Sequence, residues 1–106
     1  MAFKLFNQIT NEELPSMEVD GVNAFLKDFS VSEDSDKPIT SGLFHLKSGE
    51  SLKYTYTYHE MKFIVDGTFT IEDGTGQKET VKAGDLLYFP KGTEMTFTTD
   101  DFGLGF

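Results

Sequence analysis

From Ile39 onward the chain alternates short apolar and polar runs, broken by turn residues at close intervals. Period-two alternation places successive side chains on opposite faces of a strand. The pattern predicts strands over Ile39–Lys47, Leu52–Val65, Thr68–Glu72, Gln77–Val81, Leu86–Phe89, Glu94–Thr98 and Phe102–Phe106. Turn signals separate them at Ser48-Gly49-Glu50, Asp66-Gly67, Asp73-Gly74-Thr75-Gly76 and Ala83-Gly84-Asp85. Residues 1–37 look irregular, with a brief helical turn over Asn11–Pro15 and a polar loop from Ser32 to Lys37. Many short strands with little helix predict an all-β sandwich or barrel in one domain. The barrel occupies 39–106, and 1–38 form an N-terminal extension or strand packed on the barrel or on a dimer partner.

The stretch from Tyr54 to Val65 is the most informative. With no bulge in it, Tyr54, Tyr56, Tyr58, Glu60, Lys62 and Ile64 share one face, and Thr55, Thr57, His59, Met61, Phe63 and Val65 the other. The second face turns apolar at Met61, and a strand apolar on both faces is usually covered on both. The cover for Met61, Phe63 and Val65 is either the N-terminal segment or a second subunit; a homodimer is the expectation.

Composition narrows the function classes. The chain has 106 residues, fifteen of them aromatic and none of them Cys, so it has neither a disulfide framework nor a thiolate metal site. A net charge of −9 disfavours nucleic acid and anionic membrane surfaces as partners. No apolar run is long enough to span a membrane, and the first residues lack the apolar stretch of a signal peptide, which predicts a cytoplasmic protein. All nine basic residues are Lys, so the bidentate clamp that Arg gives phosphates is missing.

Two segments carry a family resemblance. One is Tyr58-His59-Glu60 and the run to Val65-Asp66-Gly67; the other extends from Ala83-Gly84-Asp85 through Phe89-Pro90-Lys91-Gly92-Thr93. With six residues between Glu60 and Gly67 and five between Gly84 and Pro90, residues 39–106 resemble a small cupin, most like the ethanolamine-utilisation type. The resemblance implies a jelly-roll β-barrel with a ligand in its open mouth. It implies no single activity, because the fold hosts many.

A cupin metal site, as the resemblance implies it, has a His-x-His pair before the glutamate and a further His after the Pro-x-Gly turn. Here Tyr54 and Tyr56 stand at the first positions, Glu60 at the glutamate, and Met95 two residues beyond Gly92. One carboxylate, two phenols and a thioether suit a divalent first-row metal poorly, so no metal and no cofactor are expected. The remaining chemistry centres on Glu60, two residues from Lys62 and surrounded by tyrosines. A carboxylate among aromatic rings suits general acid or base work, and a tyrosine hydroxyl supports a developing enolate. The expected catalytic residues are Glu60, Tyr54, Tyr56 and Lys62, acting as a metal-independent lyase, isomerase or cyclase on a small organic molecule. Tyr58, His45, Met95 and Phe97 are candidates for ligand contact, although Met95 and Phe97 also suit a core. The alternatives are a non-catalytic module that binds an apolar or aromatic metabolite, and a metal-dependent enzyme with atypical ligands. The resemblance also brings in a kinase activity attributed to a relative, which the missing Arg and the missing Gly-rich phosphate loop disfavour.

Overall fold

Runs of Phe, Tyr, Ile, Val and Thr, interrupted by Gly and Asp at turns, leave this chain few alternatives to paired strands. The computed structural model describes residues 2–106. Its eight strands are β1 (Ala24–Val31), β2 (Thr40–Lys47), β3 (Leu52–Thr55), β4 (Glu60–Asp73), β5 (Lys78–Lys82), β6 (Leu86–Phe89), β7 (Glu94–Thr98) and β8 (Phe102–Gly105). They form one curled sheet in the order β1-β2-β8-β4-β7-β3, with β5 and β6 also paired to β4, every pairing antiparallel. The fold is the expected jelly roll.

Strand β4 organises it. Residues 60–63 pair with β6, Ile64 to Gly67 with β8, Thr68 to Glu72 with β5, and Thr70 to Asp73 with β7. Asp66-Gly67, read in the sequence as a turn between two strands, lies inside this single strand. The register with β8 shifts between Ile64 and Asp66, and Gly67 has φ 68°. That bulge reverses the inward parity. Lys62 and Ile64 are buried before it, Phe69 and Ile71 after it, and Val65 and Asp66 both face out. A bulge adds one unpaired residue and turns the strand, so one strand serves two differently facing walls.

The core fills the space between the walls. Phe44, Phe69 and Phe97 pack together at ring distances of 5.6 to 6.5 Å, joined by Leu46, Leu52, Ile64, Ile71, Phe89 and Met95. Burial of these apolar side chains is worth about 1.5–3 kcal/mol each and supplies the main folding drive.

The N-terminal region departs from expectation. An eight-residue strand, β1, lies within the stretch read as irregular, and Ser16 bridges to Phe25 on its free edge. The helical turn falls earlier than expected, as a 3-10 turn at Ile9–Asn11, and Glu12 is already extended. The local signal of strand β1 is weak because Lys27 and Asp28 interrupt its apolar alternation and a bulge shifts its register between Asp28 and Ser30. Its place comes from pairing with β2, a tertiary preference that overrides a weak local pattern. The N-terminal segment buries Leu14 and lies beside Leu43 on the outer side of β2. It leaves Met61, Phe63 and Val65 exposed, so it is not the cover for that face.

Candidate functional site

The strand expected over Leu52–Val65 is two strands, β3 and β4, with an irregular link at 56–59. The link is four residues long, an even number, so the inward parity survives the break. Tyr56 is fixed in the link by the turn after β6: its N–H donates to Thr93 O at 2.9 Å, and its carbonyl accepts from Gly92 N at 2.7 Å. Gly92 has φ 91°, which the Pro90-Lys91-Gly92-Thr93 turn needs and which glycine adopts at little cost. His59 adds a second tie, accepting from Lys91 N at 3.1 Å and contacting the Tyr88 hydroxyl at 3.0 Å through the same ring nitrogen. Two motifs distant in sequence thus hold one tyrosine.

Tyr56 donates its hydroxyl to Glu60 Oε2 at 2.5 Å. Lys62 Nζ lies 3.5 Å from that same oxygen, with its side chain 8% exposed against 25% for Glu60. Tyr54 and Tyr58 meet at 3.1 Å between hydroxyls, and their rings pack edge-on against Tyr56 at 4.8 and 5.5 Å. Phe89 stacks on Tyr56 at 5.1 Å, and the Phe44 ring lies 5.1 Å from Lys62 Nζ. Gly105 makes room for the lysine: a Cβ there would come within 2.8 Å of Lys62 Cδ. The cluster lines a half-open cavity of about 60 Å³ at the barrel mouth, closed on one side by Met17 and Leu26.

The electrostatics follow from this packing. Burial pushes the Tyr56 phenol far above its ordinary range, and the hydrogen bond to Glu60 raises it further. Tyr58 is raised by burial and by its bond to Tyr54. Burial lowers the Lys62 ammonium, and the neighbouring Glu60 only partly restores it. The mouth therefore combines a carboxylate, a hydroxyl that keeps its proton, and an amine that burial favours in its neutral form.

The expected site residues divide in two. Tyr54, Tyr56, Tyr58, Glu60, Lys62 and Phe97 come together at the mouth. Met95 lies nearby, pairing with Tyr54 across β3 and β7, but is buried in the core. His45 stands apart. Inward residues of β2 are Phe44 and Leu46, so His45 faces the outer side, between Phe25 and Phe102 at 6.1 and 5.9 Å. There it lines a separate open cavity of about 690 Å³ under the N-terminal segment, and burial, then Lys47, lowers its basicity. That cavity is larger and has acids, hydroxyls and Lys47 in its lining, but among the described residues no side-chain hydrogen bond or ion pair joins these groups to one another as at the mouth. Met17, Leu26, Leu52 and Phe44 also line the mouth and were not anticipated. Phe44 had a signal, since strand alternation puts it opposite His45; Leu26 had none while β1 went unread.

The mouth is a poor metal centre. Its donors are one carboxylate, three phenols and an amine beside the carboxylate, with no imidazole. Among the described residues no group of three His, Cys, Asp or Glu side chains converges to hold an ion.

Residues 33–104 match the model of the EutQ-like cupin domain. The chain belongs to that family. This EutQ-like cupin is 26% identical over 104 residues to the acetate kinase EutQ of Clostridioides difficile (strain 630), covering 89% of this chain and 64% of that protein. The structure of the Clostridium difficile EutQ protein has a TM-score of 0.68 at 26% identity, over 79% of this cupin and 59% of that chain. A putative ethanolamine utilisation protein from Salmonella typhimurium LT2 aligns with TM-score 0.67 at 22% identity, over 78% and 65% of the two chains. A cupin superfamily protein of Desulfitobacterium hafniense aligns over 99% of this cupin and 88% of its own length, with TM-score 0.68 at 15% identity. The chain thus spans less than two thirds of the length of its EutQ relatives. Among the described residues no helix is long and apolar enough to cross a membrane.

Proposed function

We propose that the barrel mouth transfers a proton at the carbon next to a carbonyl in a small, uncharged organic molecule, as an isomerase or lyase does. The observation that supports this is the Tyr56–Glu60–Lys62 arrangement, in which a hydroxyl and an amine flank one carboxylate oxygen in an aromatic cavity. Glu60 takes the proton, held in place by the Tyr56 hydroxyl, and the Tyr54 hydroxyl donates to the oxygen on which charge develops. No metal takes part, because the donor set does not suit one. Solvent exchange of the α-protons of short aldehydes and ketones in D₂O, followed by proton NMR, tests this. Glu60→Gln should abolish exchange while its far-UV circular dichroism stays native; exchange at the wild-type rate in that variant ends the reading.

The name of the Clostridioides difficile relative raises phosphoryl transfer as an alternative. Among the described residues only one basic group, Lys62, reaches the mouth, and Glu60 already offsets its charge. Phosphoryl transfer needs several positive groups around the moving phosphate, and proton transfer does not.

A homodimer belongs to the same proposal. Met61, Phe63, Val65, Leu86, Tyr88 and Phe106 are exposed on the outer side of β4, β6 and the end of β8. A contiguous apolar face of this kind marks an interaction surface. A second copy supplies a matching face whose residues carry no charge, so pairing brings apolar side chains together without burying an ion. Light scattering should give twice the chain mass, and Phe63→Glu should halve it; a monomeric wild type overturns the assembly.

A further inference from the structure

We propose that Lys62 forms an imine with the carbonyl carbon of its substrate, which makes small neutral aldehydes and ketones the substrate class of the barrel mouth. This rests on reading the mouth as a reaction site. It gives Lys62 a covalent role beyond support of Glu60.

The surroundings of the amine carry the inference. Lys62 lies on an inward position of β4, next to the cavity, with Phe44 on one side and the Gly105 backbone close to its alkyl stem. Its sole ion-pair partner among the described residues is Glu60, at 3.5 Å. Charge-assisted N–H···O bonds normally measure about 2.7–2.9 Å, so this ammonium is poorly compensated for its burial. The same carboxylate oxygen accepts a much shorter bond from the Tyr56 hydroxyl, at 2.5 Å, so the lysine is its more distant partner. A lysine held to brace the fold would be better paired. A lysine desolvated in an apolar pocket is equipped to attack a carbonyl, and the neighbouring Glu60 can take the proton it then gives up. The free volume, about 60 Å³, equals roughly two water molecules and fits a reacting group of a few heavy atoms.

The step balances without any further reagent. The Nζ lone pair forms a bond to the carbonyl carbon, and the carbonyl π pair moves onto oxygen. Nζ gives up a proton to Glu60 while the oxygen gains one from solvent, giving the carbinolamine. Glu60 then returns its proton to that hydroxyl, which leaves as water as the C=N bond forms. The protonated imine acidifies the neighbouring C–H. Glu60, again a carboxylate, takes that proton, and the C–H pair moves in to give the enamine.

Propanal with cyanoborohydride tests the proposal on the intact chain at neutral pH, where reduction fixes each imine as a propyl group detected by peptide mass mapping. Lys62 should be labelled several-fold faster than the exposed Lys53, Lys78 and Lys91 of the same molecule, since it lines the cavity that takes up the aldehyde and burial favours its free amine. Lys62→Met should remove the fast site. A Lys62 labelled no faster than its exposed neighbours, as a braced and buried lysine would be, overturns the proposal; that comparison lies within one wild-type sample and needs no variant to fold. The α-proton exchange assay separates the two readings. Exchange without trapping overturns the imine and leaves Glu60 as base, whereas trapping without exchange supports the imine and removes the proton-transfer reading.

Discussion

Removing either partner of the Glu60–Lys62 pair deletes one charge, but the two losses should differ in cost. In Glu60→Gln the lysine side chain, 8% exposed, loses its only ion-pair partner among the described residues. Stranding a buried charge typically costs about 3–5 kcal/mol. The lysine can instead give up its proton. For an ordinary Lys at pH 7 that means about 3.4 pH units at roughly 1.36 kcal/mol each, a ceiling of about 4.6 kcal/mol. Wild-type Lys62 is already lowered, so part of that cost is present before the substitution. The expected loss is about 2–3 kcal/mol. In Lys62→Met the stranded group is Glu60, a quarter exposed and still bound by Tyr56. Methionine also keeps the apolar stem, so the expected loss is about 1 kcal/mol or less. The double variant should resemble Lys62→Met. Urea unfolding at 25 °C, followed by circular dichroism, measures all four proteins, and the Glu60→Gln midpoint in thermal scans should fall by roughly 8–20 °C. The pH dependence has a definite sign. A lysine lowered in the folded state binds fewer protons than the unfolded chain up to about pH 10.4, so Glu60→Gln should gain stability as the pH rises towards about 10. Refutation would be a Lys62→Met loss exceeding that of Glu60→Gln, or a double variant showing the sum of both.

Three further outcomes follow from the same geometry. Tyr56→Phe removes the donor to Glu60 and should cost about 1.5–3 kcal/mol in urea unfolding, with α-proton exchange falling more than tenfold; an unchanged rate would exclude the hydroxyl from the reaction. Alkaline unfolding should begin near pH 10, where the unfolded chain ionises Tyr56 and the folded one does not, so stability falls by up to about 1.4 kcal/mol per pH unit; a Tyr56→Phe titration with the same slope would contradict the assignment. Gly105→Ala places a methyl against Lys62 Cδ and should cost about 1–3 kcal/mol while slowing propyl labelling of Lys62; unchanged labelling would show that the lysine is not held there.

Much of this molecule is legible in its sequence. Seven strand regions followed from alternation and turn chemistry, and the even-numbered residues from Tyr54 to Lys62 were placed on one face. That placement held although the strand breaks at 56–59, because the break spans an even number of residues. What stayed hidden depended on contacts far apart in sequence. Strand β1 exists because β2 offers it an edge, and the Asp66-Gly67 pair that follows the bulge at Val65 looks locally like a turn. His45 and Phe44 are adjacent, so assigning one to the mouth excluded the other. Only the register of β2 against β8 decides between them.

Because β4 carries Glu60 and Lys62 at one end and Phe69 and Ile71 at the other, and binds β5, β6, β7 and β8 along its length, the molecule has no hinge between its chemical and structural halves. A guest held at Glu60 should also tighten the distant hairpin formed by the second half of β4 and β5. Amide hydrogens in β5, remote from the guest, should therefore slow in step with those beside it.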